Sequence, residues 1–209
     1  MILLAKNISK YTNSEDDTKV KNNILSVKII IGLWILLYLI GRFTDIDKYL
    51  CGKGINNIRG QYYRYFTASF LHANLFHVVA NSAILYFITI YLDGKLNGVA
   101  IALLGIIAGT ATNVIFSFSS KNAEKSVGGS VIIFAIIGLM MMMQIICKSY
   151  EPFKLGTIYA DWTIGAVVIG NIINGQMRCF DFSNIKIHSI SFAMGIVMSL
   201  IYYALHVIA

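Results

Sequence analysis

The sequence predicts an all-α polytopic membrane protein, a bundle of six transmembrane helices, and three observations lead there. Of the 209 residues, 57% are hydrophobic and 13% are charged, with a mean hydropathy of +0.69. A water-soluble domain of this size could not cover so much apolar surface. A single proline, Pro152, leaves the chain free to form long uninterrupted helices. No stretch alternates polar and apolar residues as a membrane barrel must, and helices and closed barrels are the backbones whose hydrogen bonds are satisfied within lipid.

Residues 1–23 are polar and mixed in charge, with Glu15, Asp16 and Asp17 among lysines. They lack the charged start, apolar core and small-residue cleavage site of a signal peptide, so they read as a short polar N-terminal tail. The remainder, 24–209, reads as one membrane domain. A crossing helix needs about 20 mostly apolar residues, and that criterion selects 24–41, 73–92, 96–118, 127–147, 156–173 and 187–208. Lys28 can snorkel to the interface, and Asp161 and His206 read as interfacial. The links 93–95 and 148–155 are short enough to make their flanking spans antiparallel neighbours. Residues 42–71, rich in Tyr, Gly and charge, are too many for a turn and read as an ordered surface insertion.

The net charge is +7, but the basic residues stand singly between apolar runs, without the cluster or stripe that nucleic acid requires. Anionic lipid headgroups are the expected counter-charge. Cys51, Cys147 and Cys179 fall in separate segments without CxxC spacing, which indicates neither a disulfide framework nor a metal site. With the tail inside, eight Lys/Arg lie on its side of the membrane and nine on the other. The positive-inside rule therefore leaves the orientation open.

In a bundle of antiparallel spans, the second, fourth and sixth run in the same direction, so their first turns share one face of the membrane. These starts carry His72, His77 and Asn81; Gly128, Gly129 and Ser130; and His188. A serine hydroxyl becomes a competent nucleophile when an imidazole takes its proton, and Ser130 with His188 make such a pair. The Ser130 N–H, free at a helix start, and the His77 and Asn81 side chains, four residues apart on one helical face, are candidate donors to an oxyanion. Phe134, four residues after Ser130, is placed to pack flat on the His188 ring. Gly128 and Gly129 remove bulk where a substrate backbone must approach. Each residue alone also has a structural reading, since glycine–serine pairs commonly serve close helix packing. Their joint position at three co-directional helix starts favours chemistry.

Zinc is the rival use of clustered histidines. Metalloprotease helices carry H-E-x-x-H, whereas His72 and His77 are five apart, about 140° round a helix, with no carboxylate between them. Neither a metal nor a cofactor is expected.

The run Arg64-Tyr65-Phe66-Thr67, followed by Phe70-Leu71-His72, His77 and Asn81, resembles the signature that opens the second span of rhomboid proteases. Gly128-Gly129-Ser130 resembles their G-x-S-G nucleophile motif, and His188 ahead of Gly195 is similar to their last span. The resemblance covers 24–208. It implies a rhomboid-like six-helix bundle and an intramembrane serine endopeptidase, with Ser130 as nucleophile, His188 as general base and acid, and His77, Asn81 and the Ser130 amide stabilising the oxyanion. It further implies that His72 and Arg64 order the first loop, that no third acidic residue takes part, and that the tail is inside with the site open to the outer face of the plasma membrane. The implied partners are single-pass transmembrane substrates and membrane lipids, with no nucleic acid and no metal.

Three positions depart from that pattern: Val131 and Ser191 stand where glycine is usual, and Tyr63 where tryptophan is common. The alternative is therefore a catalytically inactive rhomboid-like protein that binds transmembrane helices without cleaving them. The link 174–186, with Met177, Phe180 and Phe182 in an otherwise polar stretch, reads as a lid over the site.

Overall fold

The computed structural model describes residues 25–92, 96–123, 125–146, 154–155, 158–166 and 182–205. The elements in chain order are α1 (Leu25–Phe43), α2 (Ile46–Leu50), α3 (Arg64–Thr67) with a 3₁₀ turn at Ala68–Phe70, α4 (Leu75–Leu92), α5 (Gly98–Ser119) and α6 (Ser130–Ile146). A two-residue hairpin, β1 (Lys154–Leu155) and β2 (Ile158–Tyr159), then leads into α7 (described over 160–166) and α8 (Phe182–Tyr203). The chain is a helical membrane bundle.

Among the described residues, four helices are long and apolar enough to cross a membrane: α1, α4, α5, and α8 over Ile185–Tyr203. Their outward residues, among them Leu36, Phe87, Ile107 and Leu200, are large, apolar and exposed, as lipid-facing positions are. The helix α6 differs. Its described residues number 17, twelve of them buried, and span about 25 Å at about 1.5 Å per residue. It stands inside the longer helices, packing most extensively on α8 and next on α5.

Close approach between α6 and α8 depends on paired glycines. A Cβ on Gly138 would run into the Phe192 carbonyl, and one on Gly195 into the Ala135 carbonyl. Small residues at such crossings let helix backbones meet where lipid provides no hydrophobic drive to associate.

Residues 42–71 fold onto the link between α5 and α6. Arg64, 3% exposed, donates from Nε to Gln61 Oε1 at 2.6 Å and from Nη1 to the Lys48 and Cys51 carbonyls at 2.8 and 3.2 Å. Thr67 Oγ1 donates to the Leu50 carbonyl at 2.7 Å. Gly52 pairs antiparallel with Ser126 through bonds of 2.8 and 2.9 Å, and Gly54 N–H donates to the Ala123 carbonyl at 2.8 Å. The insertion is thereby tied to the strand of chain that leads into Ser130.

Two boundaries differ from the sequence reading. The span expected at 156–173 starts at 160, because Lys154 pairs with Tyr159 and Leu155 with Ile158. A two-residue connection containing Gly156 between β-forming residues is a strong hairpin signal that an average of hydropathy does not register. The link 148–155 accordingly ends in β1. The last helix begins at Phe182 rather than 187, since Ser183, Asn184 and Lys186 lower hydropathy without opposing a first helical turn.

Asp161, in the first turn of α7, is 1% exposed, accepting from the Gln144 amide and from the Trp162 N–H. Burial of a carboxylate is tolerable only with such donors. The tail 1–23, the link 93–95, Cys147, Cys179, His206, and Met177 and Phe180 of the expected lid lie outside the described residues. Phe182 of that lid is the first residue of α8.

Candidate active site

Three helix starts converge. At the first, Asn74 precedes α4 and its Oδ1 accepts from the His77 N–H at 2.8 Å, an N-cap that fixes the first turn and the His77 side chain with it. His72 lies ahead of the helix, after extended Leu71, so helical spacing does not apply to it. Its ring meets that of His77 edge to face, with centroids 5.1 Å apart. On its other side Trp34 of α1 makes a similar contact, also at 5.1 Å.

Burial, followed by the neighbouring His77, lowers the pKa of His72 to about 4. The ring is therefore neutral near pH 7, and its Nε2 lies 3.0 Å from Asn81 Nδ2, able to accept from that amide. His72 thus supports Asn81 and His77 at the site; the first loop is held by Arg64.

At the second start, Gly128 has φ +148°, a backbone conformation that L side chains rarely adopt. A Cβ there would lie 3.1 Å from both His77 Cε1 and Ser130 Oγ. Glycine keeps the space between imidazole and hydroxyl clear. Gly129 sits under the indole of Trp34, which occupies the place of any side chain, while Trp34 Nε1–H donates to the Ser69 carbonyl at 3.2 Å. Ser130, the first residue of α6, has a backbone N–H with no intrahelical acceptor by its position.

At the third start, His188 Nε2 lies 2.9 Å from Ser130 Oγ. The Phe134 ring is stacked on the imidazole, with centroids 4.2 Å apart and planes 7° from parallel. For Nε2 to accept the serine proton, the His188 proton must reside on Nδ1. A cavity of about 850 Å³ opens onto the pair and is lined by Asn74, His77, Gly128, Ser130, Lys186 and His188 among others. Asn81 is buried beside His72.

The two departures nearest the serine fit together. Val131 is 2% exposed and sets a γ-methyl against Gly109 of α5, where a Cβ would come within 3.1 Å of it. The Ser191 hydroxyl donates to the Val131 carbonyl. The third, Tyr63, puts its ring 5.7 Å from the Arg64 guanidinium and donates to the Tyr49 carbonyl.

Asn74, Trp34 and Asn113 have site positions that the sequence reading did not assign. Asn74 carries an available signal, a capping residue three positions before His77. Asn113 is a buried amide in a span, itself a signal, and donates to the Tyr65 carbonyl at 2.8 Å and to Ser69 Oγ at 3.0 Å. Trp34 carries none, being one more apolar residue in α1.

Residues 59–205 match the Rhomboid domain family, a stretch that takes in all three helix starts. The chain belongs to the rhomboid family. It is an integral, multi-pass membrane protein. Part of it is similar to RHOMBOID-like protein 1 of Arabidopsis thaliana, with 39% identity over 79 residues, which is 38% of this chain and 20% of that relative. The rhomboid match begins at Arg59, so α1, whose Trp34 covers Gly129, lies ahead of it.

Proposed function

We propose that this rhomboid is an intramembrane serine endopeptidase that cleaves transmembrane segments of other membrane proteins with a Ser130–His188 dyad. The observation that carries the reading is the 2.9 Å approach of His188 Nε2 to Ser130 Oγ, on an imidazole stacked against Phe134.

In this reaction His188 Nε2 takes the hydroxyl proton as Ser130 Oγ bonds to the scissile carbonyl carbon. The carbonyl electrons move to oxygen, and the oxyanion is met by the Ser130 N–H, His77 and the Asn81 hydrogen not directed at His72. The intermediate collapses as His188 passes its proton to the leaving amide nitrogen. Water then attacks the acyl-serine with His188 again as base, releasing the new carboxyl end. No acidic third member is needed, because Phe134 holds the ring by stacking. Gly128 and Gly129 leave room for the substrate backbone.

The peptide bonds of a spanning helix are hydrogen-bonded and hidden, so the substrate must unwind locally before Ser130 reaches it. The substrates are single-pass proteins with Gly, Pro or other weak helix formers near the membrane boundary that the site faces. The site faces the outside of the plasma membrane, with the tail within. Fluorophosphonate labelling of the detergent-solubilised protein tests the reading. Ser130 is labelled in the wild type and the Ser130→Ala variant is not; an intact, folded wild type that stays unlabelled points to a helix-binding rhomboid without activity.

A further inference from the structure

A second cavity, of about 590 Å³, lies between the 42–71 insertion and Lys125 of the link into α6. Five cations, Lys48, Lys53, Arg59, Arg64 and Lys125, line it against one carboxylate, Asp47. Two of the five have carboxylate partners: Lys48 meets Asp45 at 2.8 Å, and Lys125 meets Asp47 at 3.7 Å. Lys53, Arg59 and Arg64 have none among the described residues. The hydrogen bonds of Arg64 go to neutral acceptors, Gln61 and two carbonyls, so no carboxylate meets its charge among the described residues. Among the described residues the cavity wall therefore carries an excess of positive charge.

The backbone points the same way. Arg59 has φ +48° and is followed by Gly60 at φ +77°. A non-glycine residue in the left-handed region is an outlier that calls for a reason, and here it carries a cation at the cavity wall. The level in the membrane follows from the helix ends. The cavity lies in the segment between the end of α1 at Phe43 and the start of α4 at Leu75. Tyr49 lines the cavity, and Phe43, Tyr49, Tyr62 and Tyr63 of the same segment are all exposed, as aromatic side chains are at headgroup level.

We propose that this cavity binds the phosphate of an anionic phospholipid headgroup, with Lys53 and Arg59 as its accessible cations and the exposed aromatics beside the acyl chains. Guanidinium and ammonium groups match phosphate oxygens, and a site at the lipid boundary meets phospholipid before any soluble anion. Lys125 lines both this cavity and the one at Ser130, whereas Lys53 and Arg59 line this one alone.

The test uses the full chain in neutral detergent and a tail-labelled phosphatidylglycerol, with phosphatidylcholine as the neutral-headgroup comparison. The wild type is expected to bind phosphatidylglycerol in preference to phosphatidylcholine. Each cation near an anionic lipid surface contributes about a fivefold factor, so Lys53→Gln/Arg59→Gln should weaken phosphatidylglycerol binding about thirtyfold. The charge-keeping pair Lys53→Arg/Arg59→Lys should retain it, which separates lost charge from lost folding. Equal binding of the two lipids, or unchanged binding in the glutamine variant, overturns the site. Displacement of phosphatidylglycerol by millimolar inorganic phosphate overturns the lipid and identifies a soluble phosphate ligand.

Discussion

The Ser191 hydroxyl donates to the carbonyl of Val131, joining α8 one turn past His188 to α6 one residue past Ser130. At a position where glycine would serve close packing alone, serine adds an interhelical bond beside the dyad. Ser191→Ala is expected to lower stability by about 1 kcal/mol, the usual net value of such a bond. Thermal unfolding in detergent measures this, and an unchanged midpoint would mean that the bond has no net value.

Phe134 holds the His188 ring at 4.2 Å. Phe134→Ala frees the imidazole to rotate away from Ser130, and a misplacement of about 1 Å costs on the order of a hundredfold in rate. Turnover should fall to about that extent, while Phe134→Tyr keeps a flat ring and most of the rate. Loss of rate in both variants would indicate that the tyrosine hydroxyl or the pocket shape matters more than the stack.

Much of this arrangement is legible in the sequence because direction and periodicity are sequence properties. Alternation of span direction brings the starts carrying His77, Ser130 and His188 to one face, and the four-residue step from Ser130 to Phe134 aims the ring at the base. What is illegible depends on side-chain direction and on distance between helices. Asn81 shares a helical face with His77, yet its amide is turned to His72, a residue outside the helix whose position no wheel can give. Trp34 has no pattern to connect it with Gly129, 95 positions later. Asp161 looks interfacial from hydropathy, and only the nearness of Gln144 explains its burial.

Arg64 supports the insertion through neutral acceptors at Gln61, Lys48 and Cys51. Arg64→Leu strands two carbonyls at least partly buried, each costing about 1–3 kcal/mol, so a loss of about 2–6 kcal/mol is expected. Arg64→Lys should rescue little, because an ammonium cannot reproduce the planar fork. Full stability of Arg64→Lys in thermal unfolding would show that charge alone suffices.

Asn81→Ala removes the partner of His72 and, in the proposed reaction, one donor to the oxyanion. Turnover is expected to fall about ten- to a thousandfold, as loss of one such donor does elsewhere, with fluorophosphonate labelling of Ser130 still detectable. Loss of both turnover and labelling would assign Asn81 a structural role through His72.

The most direct measurement is cleavage of a single-pass substrate by purified protein reconstituted in liposomes, comparing the wild type with Ser130→Ala. The substitution deletes one oxygen at the start of α6 and should leave the fold intact. The dyad account predicts specific cleavage by the wild type and none by the variant at equal thermal stability, with His188→Ala equally inactive because the two residues act as a unit. Cleavage by Ser130→Ala at the wild-type rate would contradict the serine mechanism.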